Sequence, residues 1–390
     1  MINGQLGIYL DNAATTALKP EVLEVMMPYL TGNYGNPSGI YKEGRNAKAA
    51  IDNARVQAAK AINANVKEIY FTGSGTEANN WAIMSFAHAN KHKGNHIITS
   101  AIEHHAVLHP CEQLEKAGFS VTYVPVDKFG KVSVEDIANA ITDKTILISI
   151  MFANNEIGTI QPIEEIGRIA KERNIVFHTD AIQAIDTIEI DVNKLNIDML
   201  SLSAHKFGGP KGVGALYIRT GINAGTVMFG GGQERNRRAG TENVAAIAGL
   251  GKAIELAVKN RAEKADKLKR LRDYLVEKVL NEIPDIIYNG HPTDRLAGNA
   301  NFCFKYIEGE SLLLMLDMKG VSASSGSACT SGSLDPSHVL LAIGLEHEIA
   351  HGSLRLTLSE DTTTEQIDYT VETLKDIVKR LRELSPLYEA

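Results

Sequence analysis

Lys206 stands in DMLSLSAHKFGGPKGVGALYI (198–218), three residues after Ser203, one after His205 and just before a glycine-rich reversal. A lysine among small and apolar residues ordinarily lays its stem along the surface and leaves its charge in water. An amine can also bond covalently to a carbonyl compound, and the company of Lys206 points to that second use. Asp180 follows the apolar run IVF, and Gln183 comes three residues later. In FTGSGTEANNWAI (71–83), Gly75 and Thr76 lie between a strand and a helix whose first turn includes Glu77. Backbone N–H groups at such a helix start, joined by the Thr76 hydroxyl, form an anion cradle suited to phosphate. By composition alone the stretch is equally an ordinary strand-to-helix turn. Together, the amine, acid, imidazole, hydroxyl and cradle meet the needs of pyridoxal phosphate: an amine at its aldehyde, a carboxylate at its ring nitrogen and an anion site at its phosphate.

Bringing these residues together is a task for the fold. Short β-branched runs alternate with longer amphipathic stretches: EIYFT (68–72), NHIITS (95–100), SVTYVPV (120–126), TILISIMF (145–152), IVFHTD (175–180) and DMLSLS (198–203). The alternation predicts an α/β fold with a mainly parallel sheet. Ligands bind such sheets at the carboxyl ends of the strands, which is where Asp180, Ser203, His205 and Lys206 fall. From Asn243 to about Ile283, helical periodicity with many charges predicts one long helix stopped by Pro284. Beyond it, NANFCFKYI, ESLLLMLDMKG, HVLLAIG, SLRLTLS and EQIDYTVETLKDIVKRLREL read as strand, helix, helix, strand, helix, a compact α+β unit.

At 390 residues the chain is long enough for two domains, or for one large domain with an appendage. Its 40 Lys+Arg against 47 Asp+Glu give a net charge of −7, which offers no bulk attraction for nucleic acid or an acidic membrane. Three widely spaced cysteines suggest no disulfide framework and favour a reducing compartment. No apolar run approaches the roughly 20 residues that cross a bilayer, and MINGQLGIYLDNAAT lacks the features of a signal peptide, so a soluble cytoplasmic protein is expected.

Other clusters carry plainer readings. EHHAVLHPCE (103–112) holds His104, His105, His109 and Cys111, and on a helix His105 and His109 at i, i+4 could serve a zinc ion. Surface histidines on helices are common, so no stable metal site is expected here. Cys111, Cys303 and Trp81 read as core residues. RNRR (235–238) is too short for a nucleic-acid patch in an acidic chain and reads as a phosphate or carboxylate neighbourhood in the active site.

HTDAIQ, SLSAHKFGGPKGVG, GGGQERNRRAGTEN and SSGSACTSG, in this order, resemble the NifS/IscS-type cysteine desulfurases, which are pyridoxal phosphate enzymes of the class V aminotransferase group. The similarity runs from YLDNAATT to RLRELSPLYE, nearly the whole chain. It implies a fold-type I enzyme with a large domain over residues 15–260 and a small domain of residues 1–14 plus 261–390. It makes Lys206 the Schiff-base lysine and Asp180 the partner of the ring nitrogen, with Gln183 and Asn155 on the ring hydroxyl or the substrate. Gly75, Thr76, Ser203 and His205 would hold the phosphate, joined by Thr241 from across a homodimer. His104 matches the histidine that stacks on the ring, and Arg355 the arginine that grips the substrate carboxylate; a planar, always-charged guanidinium suits that task.

SASSGSACTSGS (322–333) surrounds Cys329 with small residues. Alone it reads as a loose surface loop with an incidental cysteine. With the resemblance it reads as a carrier: a thiolate must reach the sulfur of L-cysteine, take it as a persulfide with release of L-alanine, and deliver it elsewhere, and glycine and serine give the backbone that freedom. An iron–sulfur scaffold protein is the implied acceptor, with Cys329 as a ligand that a cluster would share in passing. Relatives of the IscS kind continue past this chain's LSPLYEA ending with a tail that helps dock the scaffold, so the resemblance implies the transfer but not its surface. AHGSLR and GGGQERNRRAGTEN look closer to the NifS branch. The alternatives are another class V aminotransferase or a selenocysteine lyase, in which Cys329 would be dispensable, and a non-enzymatic sulfur or cluster accessory protein.

Overall fold

A computed structural model of the chain describes residues 7–325 and 336–388. The β-branched runs form strands, labelled here in chain order: β1 (Ile8–Tyr9), β2 (Ile69–Thr72), β3 (His96–Ser100), β4 (Ser120–Val124), β5 (Thr145–Ser149), β6 (Val176–Asp180), β7 (Met199–Ser203), β8 (Gly214–Ile218), β9 (Ile286–Asn289), β10 (Asn299–Phe304), β11 (Val321–Ser322) and β12 (Ser353–Thr357). Seven of them make one sheet in the order β2-β8-β7-β6-β5-β3-β4. The pairs from β7 through β6, β5 and β3 to β4 are parallel, and β8 runs antiparallel to both its neighbours. This is the α/β architecture that the sequence predicts. Every residue of β3, β7 and β8 is buried, as expected of central strands covered on both faces.

Four hydrophobic clusters form among the described residues, and two of them carry the elements that position the site. The larger joins Phe177 and Leu200 of the sheet to Val22, Ile51 and Leu250 from the helices Pro20–Leu30, Lys42–Ala61 and Val244–Lys259. The other gathers Ile8, Leu10, Leu275, Phe302, Leu354 and Val371 around the antiparallel sheet β12-β10-β9 and the parallel pair β1-β11. The first strand of the chain therefore packs with the last third of it. The single long helix expected over 243–283 is instead two, Val244–Lys259 and Arg261–Glu282, broken at Asn260 with φ −126° and ψ 37°. Each helix turns its apolar face to a different core, Leu250 and Ile254 to the first and Leu268 and Leu275 to the second, so one straight rod could not serve both. Neither Gly nor Pro marks the break, which is why periodicity ran through it. Pro284 leaves Ile283 extended, as the residue before a proline prefers.

One buried ion pair fixes the strand that leads to the anion cradle. Arg55 meets Glu234 through two bonds of 2.8 and 2.7 Å and donates to the carbonyl of Ile69, while Glu234 also accepts the Phe71 N–H at 3.2 Å. Both side chains are almost fully buried. Removing one partner strands the other charge, so Arg55→Met should destabilise the protein by about 3–5 kcal/mol in denaturant unfolding, and Arg55→Met with Glu234→Leu should recover much of that loss.

Candidate active site

The carboxyl ends of β6 and β7 open into a cleft of about 330 Å³. Asp180 is the last residue of β6 and only 7% exposed. Its Oδ1 accepts the Ile182 N–H at 3.0 Å and its Oδ2 accepts from Asn79 Nδ2 at 2.6 Å. Burial raises its pKa, opposed by those two hydrogen bonds and by the Lys206 charge. β7 ends at Ser203 and tightens into the 3₁₀ turn Ala204–Lys206, which swings Lys206 back over the edge. Lys206 Nζ donates to the carbonyls of Ala13 and Ala14 at 2.6 and 2.9 Å, and Gln183 Nε2 donates to Ala13 at 3.0 Å. His205 Nδ1 lies 3.2 Å from Thr15 Oγ1, and burial, reinforced by Lys206, pushes its pKa down to about 4.

The cradle is built by a cap and by glycines. Ser74 precedes the helix Gly75–Asn80 in extended backbone and accepts the Glu77 N–H at 3.1 Å. Glu77 in turn accepts the Gly73 N–H and pairs with Arg238 at 2.7 Å. A Cβ on Gly75 would stand 2.3 Å from the end of the Ile182 side chain and 3.1 Å from Ser203 Cβ, so glycine lets the helix start sit against the end of β7 without displacing either. Gly214 likewise leaves no space for a Cβ beside the Ser74 backbone.

Across the cleft, His104 caps the helix His105–Lys116, its Nδ1 accepting the Ala106 N–H at 3.0 Å. That bond places the ring proton on Nε2. Burial, then the Lys206 charge, lowers its pKa to about 4. Arg355 on β12 is 2% exposed, donating from Nη2 to Asp11 at 2.9 Å and from Nη1 to the Asn155 carbonyl at 3.0 Å. Its Nε is buried without a partner among the described residues.

Gly75, Thr76, His104, Asn155, Asp180, Gln183, Ser203, His205, Lys206 and Arg355 all line this one cleft. Thr241 does not; it is exposed, outside the cleft of its own chain. Cys329 lies outside the described residues. The arginines of RNRR do not line the cleft: Arg235 donates to the Lys67 carbonyl and lies over the Tyr70 ring, and Arg238 is held by Glu77. Cys111, Cys303 and Trp81 are fully buried. His105 and His109 stack ring on ring at 4.8 Å, and among the described residues no group of three or more His, Cys, Asp or Glu could hold a metal ion.

Several working residues escaped sequence reasoning. Ser74 had a signal, since Ser-x-x-Glu before a helix is a capping signature. Asn79 as a partner of Asp180, and the Ala13 and Ala14 carbonyls as the seat of Lys206, had none, because chain folding alone brings them there. As for a cofactor, the residues fit pyridoxal phosphate: a glycine-formed cradle, a buried carboxylate with cation-compatible surroundings, and an amine face the same space.

Comparison with known proteins agrees with this geometry. Residues 8–370 match the family model described as aminotransferase class-V. A cysteine desulfurase IscS of Clostridium botulinum is 60% identical over 385 residues, covering 98% of this chain and 97% of the relative. One from Methanosarcina thermophila is 61% identical over 380 residues, covering 97% and 94%. Among solved structures, a NifS-like protein superposes with a TM-score of 0.91 at 38% identity, covering 96% of this chain and all of that one. A structure titled SspA in complex with cysteine superposes with a TM-score of 0.81 at 38% identity, covering 91% of this chain and all of that one.

His104 supplies a pH test. Its folded pKa of about 4 lies below the free value of 6.5, so the unfolded chain takes up the proton first as pH falls. This group's contribution to stability is therefore present above about 6.5 and is lost as pH falls toward 4. Histidine-selective NMR should show the His104 ring neutral, with its proton on Nε2, from pH 8 down to about 5, whereas an exposed histidine titrates near 6.5.

Proposed function

The chain belongs to the class V aminotransferase family, and from that premise we propose how its cleft turns over L-cysteine. It is a cysteine desulfurase, converting L-cysteine to L-alanine with transfer of the sulfur. The proposed receiver within the chain is Cys329, which becomes a persulfide. The observation that carries this reading is the meeting of Lys206, Asp180 and Arg355 on one cleft, where an amine, a buried acid and an unspent guanidinium donor face one another.

The family depends on pyridoxal phosphate, which when bound supplies an aldehyde for the substrate amine and a ring that takes up the electron pair left by the substrate Cα proton. Asp180 would hold the ring nitrogen, Gly75, Thr76, Ser203 and His205 the phosphate, and His104 the ring face. Thr241 of the partner subunit would complete the phosphate site in a homodimer, a role that its exposure supports. Arg355 grips the substrate carboxylate, with Nε as the free donor and Asp11 and Asn155 fixing the plane of the fork. Lys206 Nζ would take the proton from the substrate Cα. The Cys329 thiolate then attacks the substrate sulfur; the S–S bond forms as the Cβ–S bond breaks, the electron pair leaves with the carbon fragment, and alanine is completed by a proton added at Cβ and a proton returned to Cα. Cys111 and Cys303 are unsuited to the attack, since burial pushes their thiols up to about 12 and about 11. The proposed downstream acceptor is an iron–sulfur scaffold protein.

Two large units, one on each hydrophobic core and meeting at the cleft, make up the proposed domain division, with the boundary near the helix break at Asn260. Among the described residues no helix is long and apolar enough to cross a membrane.

Incubation with L-cysteine and a reductant, reading alanine and sulfide together, tests the reading. Wild type should form both in step and without a keto acid. Lys206→Ala should abolish both. Cys329→Ala should retain the absorbance of bound pyridoxal phosphate and its change on adding cysteine, yet fail to release alanine. A requirement for a keto acid would indicate an aminotransferase instead, and full activity of Lys206→Ala would overturn the site.

A further inference from the structure

Glu156 is a carboxyl on the cleft wall to which the chemistry above gives no task. It is 5% exposed, follows Asn155 directly, and accepts a hydrogen bond from Ser337 Oγ. Ser337 is itself 3% exposed and caps the helix His338–Ala342, its Oγ accepting the N–H groups of Val339 at 3.1 Å and Leu340 at 3.4 Å. A hydroxyl has one donor and two acceptor sites, so all three are in use and its proton is committed to Glu156. The next residue, His338, is within 2.9 Å of the Glu103 carbonyl through Nε2, a contact in which the ring nitrogen donates.

The other flank of residues 326–335 is tied to the same place. Ser324 and Arg355 form an isolated antiparallel bridge, with Arg355 N–H donating to the Ser324 carbonyl at 2.6 Å and Ser324 N–H returning the bond at 3.3 Å. The Arg355 guanidinium donates to the Asn155 carbonyl at 3.0 Å. Ser324, Arg355, Asn155, Glu156 and Ser337 thus form a continuous circuit whose two ends flank the stretch that contains Cys329.

Resting on the desulfurase reading, we infer that Glu156 is a positioning residue for sulfur transfer: through Ser337 it anchors the chain following Cys329 to the Asn155–Glu156 unit that also steadies Arg355. One short piece of backbone then references both the substrate carboxylate and the incoming thiol, and relative placement is where a small displacement slows a reaction most. Burial raises the Glu156 pKa, opposed first by the Ser337 hydrogen bond and then by the charges of His338 and Arg355. The anchor needs only an acceptor at Oε2, which an amide also provides.

The test uses the full-length enzyme with pyridoxal phosphate bound. Glu156→Ala and Ser337→Gly should each lower kcat for alanine formation about ten- to hundredfold with little change in KM. Ser337→Gly removes the donor at little cost to the helix cap, so it stands if Glu156→Ala fails to fold. Glu156→Gln should restore most of the rate, and the Glu156→Ala, Ser337→Gly double variant should be no slower than the slower single. Separately, the rate at which iodoacetamide alkylates Cys329 without cysteine present, read by mass spectrometry, should rise severalfold in Ser337→Gly but not in Glu156→Gln. An unchanged kcat in both single variants, a Glu156→Gln as slow as Glu156→Ala, or an alkylation rate indifferent to Ser337→Gly would overturn the inference. If wild type itself formed no alanine, the desulfurase reading would fall, while the alkylation comparison would still decide whether Glu156 and Ser337 control the thiol.

Discussion

A carboxylate at the end of a buried central strand must be compensated, and the surroundings of Asp180 are organised by that demand. Desolvation favours its neutral form. Against this the chain brings one hydrogen bond from the Ile182 backbone and another from Asn79, while Lys206 adds a nearby positive charge. Each depends on a different element: the turn after β6, the helix whose start is the anion cradle, and the turn after β7. The sheet order β2-β8-β7-β6, with Asp180 opposite Ser201, sets those elements near one another. In the proposed function a ring nitrogen carrying a proton would complete such a site, which would connect the electrostatics of one strand end to the chemistry of the whole cleft.

The second dependence is on the segment that follows β1. β1 packs in the smaller core, yet the carbonyls of Ala13 and Ala14 receive Lys206 from the large sheet, and Asp11 receives Arg355 from β12. A few residues near the start of the chain therefore fix the amine and the guanidinium relative to each other. The Thr16 N–H and hydroxyl both donate to the His205 carbonyl, which fastens the same segment to the turn that carries Lys206. The amine and the guanidinium of the cleft consequently come from elements of both cores, and their spacing is a property of how those cores meet.

Much of this was legible in the sequence because strands and their ends leave strong local signals. The apolar runs before Asp180 and Ser203 marked both strand ends, and the glycines and hydroxyls at 73–76 marked the cradle. The break at Asn260 was not legible, since apolar periodicity records burial and not which core does the burying. Neither were the partners of Asp180 and Lys206: an Asn on a helix and two alanine carbonyls carry no chemical signature until folding aims them. RNRR was open for a related reason, because charge alone does not tell whether an arginine faces a ligand or, as with Arg238 and Glu77 beside the cradle, another side chain.

The central claim is that the cleft removes sulfur from cysteine and that one thiol, Cys329, receives it. Mass spectrometry of wild-type enzyme quenched after brief exposure to L-cysteine measures this directly, by locating added sulfur that reductant removes. The account predicts that sulfur on the peptide containing Cys329 and none on the peptides containing the buried Cys111 and Cys303. Added sulfur on either buried cysteine, or alanine release with Cys329 unmodified throughout, would contradict it.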